Sequence, residues 1–570
     1  MKEFVADIAD LLWHHSVIFV LIFVALCTGI SMYLFYDFSH EFYYTDTDCY
    51  TRALRIINWF EDFHWHETIF PYFNPPHGFI LHFTRINDII WALFTLPLLL
   101  YLPLQNAVFY GGLIFSPFFQ ALTIITVLWA LKGYIPPLKN KKIIYLIAMF
   151  LCYAYLQRVT NCFHFTRPDH HSLMSFIFAV NLAVLFRSFI RANENEMLLS
   201  GIASGIGLWA SSAIEGLVLV FVILLVLNFN WLFYNKPLRS IVFYTMGLFI
   251  ATTVAWLINP PYDGYTVLDL NRLSMIHSLL TTLIFIAYLC LSHFTLSSSK
   301  NKIIALFSAA ISVFAIMLIS FGSDTLFSSI YDKQVLEYFI PRISEMKPLY
   351  LSLFQCWSIL IGFFVVAFLL YLSKAKQLYI IDMAILYVIT AVISLCVCRF
   401  FPYYIVYFMF PSSICLFLLF AASEKNIKYK IITFIYILIP IYYLASFHDV
   451  PFKPILPQFK GNVLTNIFNG PYLYFTQKID SLGAPYHTDT EGIIDNHILW
   501  FSDEEDDIKK LLQKHDIQYL YLERYDDFEY YVKPEQNTDK LYGKVLSGKN
   551  LYEWMEKIED TLYKVNYTKF

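Results

Sequence analysis

The stretch YYTDTDCYTRALR, residues 43–55, lies just beyond the first long apolar run of the chain. It therefore surfaces where the chain leaves the bilayer, and it brings Asp46 and Asp48 with it. Two carboxylates two residues apart can share a divalent cation, which takes hard oxygen ligands, or can take up a proton. An acidic pair of this kind is equally compatible with a plain solvated loop. What decides between the two is the chemistry that emerges on the same side of the membrane.

Around this stretch the composition is that of a membrane protein. Of 570 residues, 58% are hydrophobic and only 15% charged, with a mean hydropathy of +0.55. Soluble domains carry about a quarter charged residues, so the chain reads as a polytopic α-helical membrane protein. Its net charge of -4 sets nothing, because orientation follows the placement of Lys and Arg. Nine cysteines show no metal-like spacing, and none lies beyond Cys415, so no disulfide framework is expected in the C-terminal part. There is no basic stripe and no Gly-rich phosphate loop, which argues against a nucleic-acid partner. A polar, partly amphipathic leader precedes the first apolar run, which is long enough to stay as an anchor.

A spanning helix needs roughly 20 apolar residues. Such segments lie near 17–36, 107–131, 143–158, 171–190, 198–213, 214–233, 240–258, 273–296, 303–321, 350–373, 377–397, 402–421 and 430–446, about thirteen in all. The apolar stretch 87–104 is interrupted by Pro97 and Pro103 and reads as an interfacial helix. With that choice Lys132, Lys139, Lys141, Lys142, Arg187, Arg191, Lys236, Arg239, Lys300, Lys302, Lys374, Lys376, Lys425, Lys428 and Lys430 all fall on one face. The positive-inside rule makes that face cytoplasmic. The expected location is the cytoplasmic (inner) membrane with a periplasmic C-terminus.

The opposite, outer face receives the loops 37–106, 159–170, 259–272, 322–349 and 398–401. A membrane domain over 1–446 is expected to give way to a small α/β domain over 447–570 on that same face. There the segment 503–516, DEEDDIKKLLQKHD, has helical spacing behind an acidic first turn, and IQYLYLER (517–524) reads as a strand.

The outer loops carry ionisable clusters. The first loop adds His77, His82 and Arg85 to Asp46 and Asp48. TRPDHH (166–171) places Arg167, Asp169, His170 and His171 at the mouth of a span, where a metal or an anionic headgroup can be held; Asp169 also suits a plain helix cap. RISEMKP (342–348) contributes Glu345, and CRFFPYY (398–404) contributes Arg399, which either snorkels to the interface or binds a phosphate. Glu215, in WASSAIEG, is a weaker candidate.

In order and spacing these clusters resemble the catalytic subunit of oligosaccharyltransferases, in the C-type fold of lipid-phosphosugar-dependent glycosyltransferases. Asp48-Cys49-Tyr50 matches that family's first-loop catalytic Asp, and Asp169-His170-His171 its second-loop acidic motif with His in place of the second acid. Ile343-Ser344-Glu345 matches its fifth-loop glutamate, and Arg399 its pyrophosphate-contacting arginine. The resemblance implies a divalent metal, Mn2+ or Mg2+, on Asp48, Asp169, His171 and Glu345. It implies donor-phosphate contacts at Arg399, with Arg167 and Arg85 as further candidates. Asp48, Asp46 and Glu345 are the catalytic candidates, and His170, His77 and Glu215 possible additions. The family's Trp-Trp-Asp-Tyr-Gly string, which reads the glycosylation sequon, is absent; the tail offers LGAPYHTDTEGIIDNHILWFSDEED (482–506), similar to a stretch of bacterial membrane proteins of this superfamily.

The implied function is transfer of a sugar or glycan from a polyprenyl-phosphate or -pyrophosphate carrier to an envelope glycan, lipid or protein acceptor at the outer face. Protein N-oligosaccharyl transfer is one alternative. A lipid or solute transporter is an alternative of another class. Against the transporter, the ionisable residues gather in outer loops rather than mid-helix, and no paired broken helices suggest an inverted repeat.

Overall fold

The computed structural model describes residues 2–35, 42–66, 69–135, 141–159, 162–191, 193–211, 215–262, 264–296, 298–327, 333–339, 343, 346–348, 353–372, 378–423, 426–445, 458–522 and 539–570. An amphipathic helix α1 (Lys2–His14) leads into α2 (Ser16–Phe35). The first outer segment holds α3 (Thr47–Asp62) and α4 (Arg85–Thr95). The membrane part continues with α5 (Leu104–Leu131), α6 (Lys141–Val159), α7 (His170–Ile190), α8 (Glu194–Ala210), α9 (Glu215–Tyr234) and α10 (Arg239–Ile258). It is completed by α11 (Met275–Ser292), α12 (Ser299–Phe327), the short α13 (Lys333–Tyr338), α14 (Leu353–Leu372), α15 (Leu378–Cys396), α16 (Phe401–Ser423) and α17 (Ile427–Ala445). Each apolar segment marked in the sequence coincides with one of these helices. Among the described residues eight are long and apolar enough to cross a membrane, and Cys356–Tyr371 and Ile380–Cys396 are shorter apolar helices.

The prolines act as punctuation. Pro97 opens a 3-10 turn, Leu98–Leu100, and Pro103 caps α5, so the interfacial stretch ends and the span begins three residues earlier than its apolar pattern suggests. A proline at a helix start loses no hydrogen bond, because the first amides have no intrahelical partner.

Helices α8 and α10 pack backbone to backbone. A Cβ on Gly201 would overlap the carbonyl oxygen of Tyr244, and one on Gly247 the carbonyl oxygen of Leu198. Between lipid-embedded helices, dispersion and interhelical hydrogen bonds replace the hydrophobic drive, so small residues at this spacing set the approach. Ser204 Oγ adds hydrogen bonds to Asn181 Oδ1 at 2.9 Å and to Tyr244 OH at 2.9 Å.

The C-terminal part is the expected α/β unit. Strands β1 (Asn462–Leu464), β2 (Ile517–Tyr521), β3 (Met555–Glu559) and β4 (Leu562–Val565) lie in the order β1-β2-β4-β3. β1 runs parallel to β2, and β4 antiparallel to β2 and β3. Helix α18 (Gly470–Gln477) lies against α3, while α19 (Thr490–Phe501), α20 (Glu505–Lys514) and α21 (Leu541–Ser547) pack on the sheet, with Trp500, Leu512, Leu520 and Trp554 fully buried between them. The expected helix over 503–516 is α20 and the expected strand is β2. The boundary expected at 446/447 lies outside the described residues.

This unit is fastened to the first outer segment. Asn74 N donates to Ser481 O at 3.0 Å and Ser481 N to Tyr72 O at 3.2 Å, extending the sheet edge. Tyr72 stacks on Tyr474 with ring centroids 3.8 Å apart, and buried His515 Nδ1 lies 2.7 Å from Pro75 O. The stretch 482–492 is thereby carried to the N-terminal end of α3.

Candidate active site

Two helix N-termini face each other at the outer end of the bundle. Asp46 is the N-cap of α3, accepting from Asp48 N at 3.1 Å, and pairs with Arg167 at 2.8 Å. Asp169 is the N-cap of α7, accepting from His170 N at 2.6 Å, so the capping role open to it in the sequence is real. An extended backbone at each cap and a carboxylate at each helix dipole explain the local fold.

Capping does not exhaust Asp169. It is 1% exposed and carries an ion pair from Arg52, whose Nε lies 3.3 Å from Oδ1. His170 Nδ1 also lies against Oδ1. Arg52 Nη2 lies 3.0 Å from the same Nδ1 and Arg399 Nη2 3.0 Å from Nε2; a guanidinium only donates, so the ring turns a lone pair to one of the two arginines. His171 Nδ1 lies 3.0 Å from Glu215 Oε1, and with that carboxylate taking its N–H, the lone pair falls on Nε2. That Nε2 stands 3.5 Å from Asp169 Oδ2, a buried oxygen with no hydrogen-bond partner among the described residues. Two electron pairs face one another across a gap, an arrangement that a cation resolves.

Glu215 is the hub behind this pair. Besides His171 it accepts from Ser211 Oγ at 2.9 Å, from Tyr403 OH, and from Arg399 Nη2 at 3.5 Å. An acceptor on the far nitrogen of a ligating imidazole fixes its tautomer and raises its basicity. Ligand atoms of Asp169, His170 and His171 lie within 4.8 Å of one another, the group of metal-ligand character among the described residues.

Asp48 joins from α3. Burial, then the charges of Asp46 and Asp169, push its carboxyl up to about 7, against the pull of Arg52 and His170. The C-terminal unit covers it: Tyr486 hydrogen-bonds Asp48, and its hydroxyl lies 2.8 Å from Thr51 Oγ1. His82 and His487 close the side, ring centroids 4.4 Å apart, with burial holding the His487 imidazole down at about 4. The donor set of carboxylate oxygen and imidazole nitrogen, with one buried oxygen unpartnered, fits a divalent ion.

Of the residues marked in the sequence, the structure thus brings together Asp48, Asp169, His170, His171, Glu215 and Arg399, with Asp46 and Arg167 paired alongside. Arg85 goes elsewhere: it binds Asp88 at 3.2 Å and donates to the carbonyls of Trp65 and His64. Arg55 meets the same Asp88 at 2.9 Å, so this buried trio braces α3 against α4. His77 lines a separate cavity. Glu345 lies outside the described residues. Arg52, Tyr403, Tyr486 and His487 were not marked as site residues. Arg52 was in reach, being one helical turn from Asp48, as Tyr403 is from Arg399; Tyr486 and His487 became relevant only through the docking of the tail.

No family model and no curated protein matches the sequence. Solved structures match the fold. The archaeal oligosaccharyltransferase AglB from Archaeoglobus fulgidus, in complex with an inhibitory peptide and a dolichol-phosphate, superposes with a TM-score of 0.65 and 12% identity, over 97% of this chain and 74% of that one. The oligosaccharyltransferase of that organism in complex with Zn and sulfate gives 0.62 and 13% over 92% and 71%. The same enzyme, tethered by a disulfide bond to an acceptor peptide containing the NVT sequon, gives 0.62 and 13% over 94% and 72%. The chain therefore shares the fold of these oligosaccharyltransferase structures, spans and C-terminal unit together.

Proposed function

We propose that this protein transfers a sugar or glycan from a polyprenyl-phosphate or -pyrophosphate carrier to an acceptor at the outer face of the membrane. The observation that carries the reading is the cluster of Asp169, His170 and His171 at the outer ends of the spans, with Arg399 on His170 and Asp48 close enough to feel the charge of Asp169, in a fold whose solved examples include one bound to a dolichol-phosphate. A divalent ion, Mn2+ or Mg2+, would be held by Asp48, Asp169 and His171, with Glu345 as a further ligand. When bound, it supplies positive charge for the donor's phosphate oxygens.

The side chains account for the rest. Arg399 is about a quarter exposed, at 23%, where its neighbours Asp169 and Glu215 are sealed. Its guanidinium suits a phosphate and stabilises the negative charge that develops there. The acceptor oxygen or nitrogen bonds to the anomeric carbon as the bond from that carbon to the phosphate oxygen breaks, and the electron pair leaves with the lipid phosphate. The acceptor's proton passes to Asp48, which Tyr486 orients. Enclosure by the tail keeps water from competing as acceptor.

A peptide acceptor is the second reading, supported by the peptide complexes of the fold neighbours and weakened by the missing Trp-Trp-Asp-Tyr-Gly string. Binding of polyprenyl phosphate to the purified protein in nanodiscs tests the donor side. Mn2+ is expected to tighten it, and Arg399→Ala to weaken it at least about tenfold, the scale of one lost charged hydrogen-bond partner. Equal binding by wild type and variant, indifferent to metal, would sink the reading.

A further inference from the structure

Beside the metal cluster, and opening outward, lies a cavity of about 510 Å³. Its walls come from three parts of the chain: the first outer segment, the loop after α10, and the start of α19. The volume is in the range of small-ligand sites. What marks it out is hydrogen-bonding capacity left unused. Asn74 is 2% exposed, and its Oδ1 has no hydrogen-bond partner among the described residues, while its Nδ2 donates to Glu491 Oε2 at 3.3 Å. Asp489 is 1% exposed; its Oδ2 accepts from Ala484 N at 2.8 Å, and its buried Oδ1 has no hydrogen-bond partner among the described residues. The buried Nδ1 of His82 likewise has no partner among them. All three residues line the one cavity.

Buried polar atoms are paired in the great majority of cases, and each orphan costs its desolvation. Three at one cavity point to a ligand that completes them. Its chemistry follows from theirs. Asn74 Oδ1 accepts, and the Asp489 carboxyl, whose Oδ2 is taken by Ala484 N, offers a hydroxyl or a lone pair at Oδ1, so the ligand must present groups that both donate and accept. Tyr262, 42% exposed, and Phe79 offer apolar ring surface to the same space. The charges that line it are offset: Glu491 is paired with Lys514 at 2.7 Å, Asp269 interacts with the buried Arg272, and burial pushes the Asp489 carboxyl well above its usual range. A site without net charge is poor for a cation or a phosphate and good for vicinal hydroxyls, whose paired O–H groups match carboxyl and amide oxygens while the C–H face lies on a ring.

We propose that this cavity holds the acceptor, and that the acceptor is a saccharide presenting a hydroxyl toward His82. The inference rests on the transferase reading above and names the substrate class. Continuity with the reaction centre is supplied by His82 itself. Its ring meets that of His487 at a tilt, centroids 4.4 Å apart, and the neighbouring Phe83 ring lies 3.9 Å beneath the Arg52 guanidinium that binds Asp169. A hydroxyl at that end stands where the acceptor atom is needed.

The test uses the full-length protein in nanodiscs in two arms. In the first, saturation-transfer NMR is recorded with three neutral disaccharides (chitobiose, lactose and mannobiose) and with an acetylated Asn-Val-Thr peptide. Transfer to the ring protons of at least one disaccharide is expected, with at least a fivefold weaker signal in Tyr262→Ala and in Glu491→Gln; Glu491 faces solvent, so neither change threatens folding. Peptide binding that both variants abolish, with no disaccharide response, would overturn the proposal in favour of a peptide acceptor. Absence of any response would also overturn it. In the second arm, metal-dependent release of sugar from a polyprenyl-phosphate donor is followed with and without the disaccharide that binds. Release diverted into a saccharide product supports the proposal. Metal-dependent release that ignores every saccharide contradicts it and leaves the transferase reading standing, whereas disaccharide binding without any donor consumption would overturn the transferase reading and the acceptor role with it, leaving a saccharide-binding cavity.

Discussion

Replacing Glu215 by Gln isolates the role assigned to the carboxylate behind His171. The change keeps the volume and can keep one acceptor for His171 Nδ1, now 3.0 Å from Glu215 Oε1, but it removes the charge that balances Arg399 and raises imidazole basicity. The amide nitrogen also meets donors, since Ser211, Tyr403 and Arg399 all give their hydrogen to this group. Losing an orienting partner of this kind typically weakens metal binding about 10–100-fold, or about 1.4–2.8 kcal/mol at about 1.4 kcal/mol per decade. Titration of the purified, metal-stripped protein with Mn2+ in a calorimeter reads this directly. Thermal unfolding without metal separates it from general damage. A shift in Mn2+ affinity of one to two decades with a small change in Tm is expected. Unchanged affinity would refute the claim that Glu215 sets the tautomer of a ligating His171.

Further outcomes follow from other parts of the structure. Asp169→Asn should abolish detectable Mn2+ binding while the helix cap survives, since an Asn side chain also accepts from the backbone; calorimetry and circular dichroism together check this. Gly201→Ala should cost about 1–3 kcal/mol by forcing α8 from α10, read as a lower midpoint for thermal inactivation. Tyr486→Phe should slow turnover a few-fold, because a single hydrogen-bonded hydroxyl is worth about 0.5–1.5 kcal/mol. Acid should loosen the docked C-terminal unit. Burial raises the Asp495 carboxyl, but hydrogen bonds from His515 and Lys514 prevail and hold it below 3.8. A depressed folded pKa gives stability that is present above the ordinary value and lost as pH falls through the folded one, so proteolysis of this unit should rise below about pH 4, and Asp495→Asn should flatten that dependence.

The spans were legible because lipid demands about 20 apolar residues at a stretch whatever the neighbours do. Packing between spans was not: Gly201 and Gly247 read as unremarkable until Tyr244 and Leu198 were seen against them. The helix and strand at 503–524 were visible because α20 has a strong apolar stripe and an acidic first turn. For the site, charged groups at span mouths identified Asp169, His171 and Arg399, since ionisable residues at that depth need partners. Sequence cannot rank partners. Arg85 looked like a phosphate ligand, yet Asp88 three residues on claims it, while Arg52, on the same helix as Asp48, reaches Asp169 more than a hundred positions away. Glu215 looked marginal because its partners His171, Tyr403 and Arg399 come from other segments, and a further one, Ser211, lies one turn before it. His82 and His487 meet only once the tail is folded over the first outer segment.

The most direct measurement is chemical turnover by the purified protein in proteoliposomes containing a radiolabelled sugar on polyprenyl phosphate. With a disaccharide supplied as acceptor, the account predicts that Mn2+ or Mg2+ drives transfer of the label from its lipid to the disaccharide, that EDTA stops it, and that Asp169→Asn and Arg399→Ala fail under the same conditions. Label that stays on the lipid while moving between leaflets would contradict the account and point to a transporter.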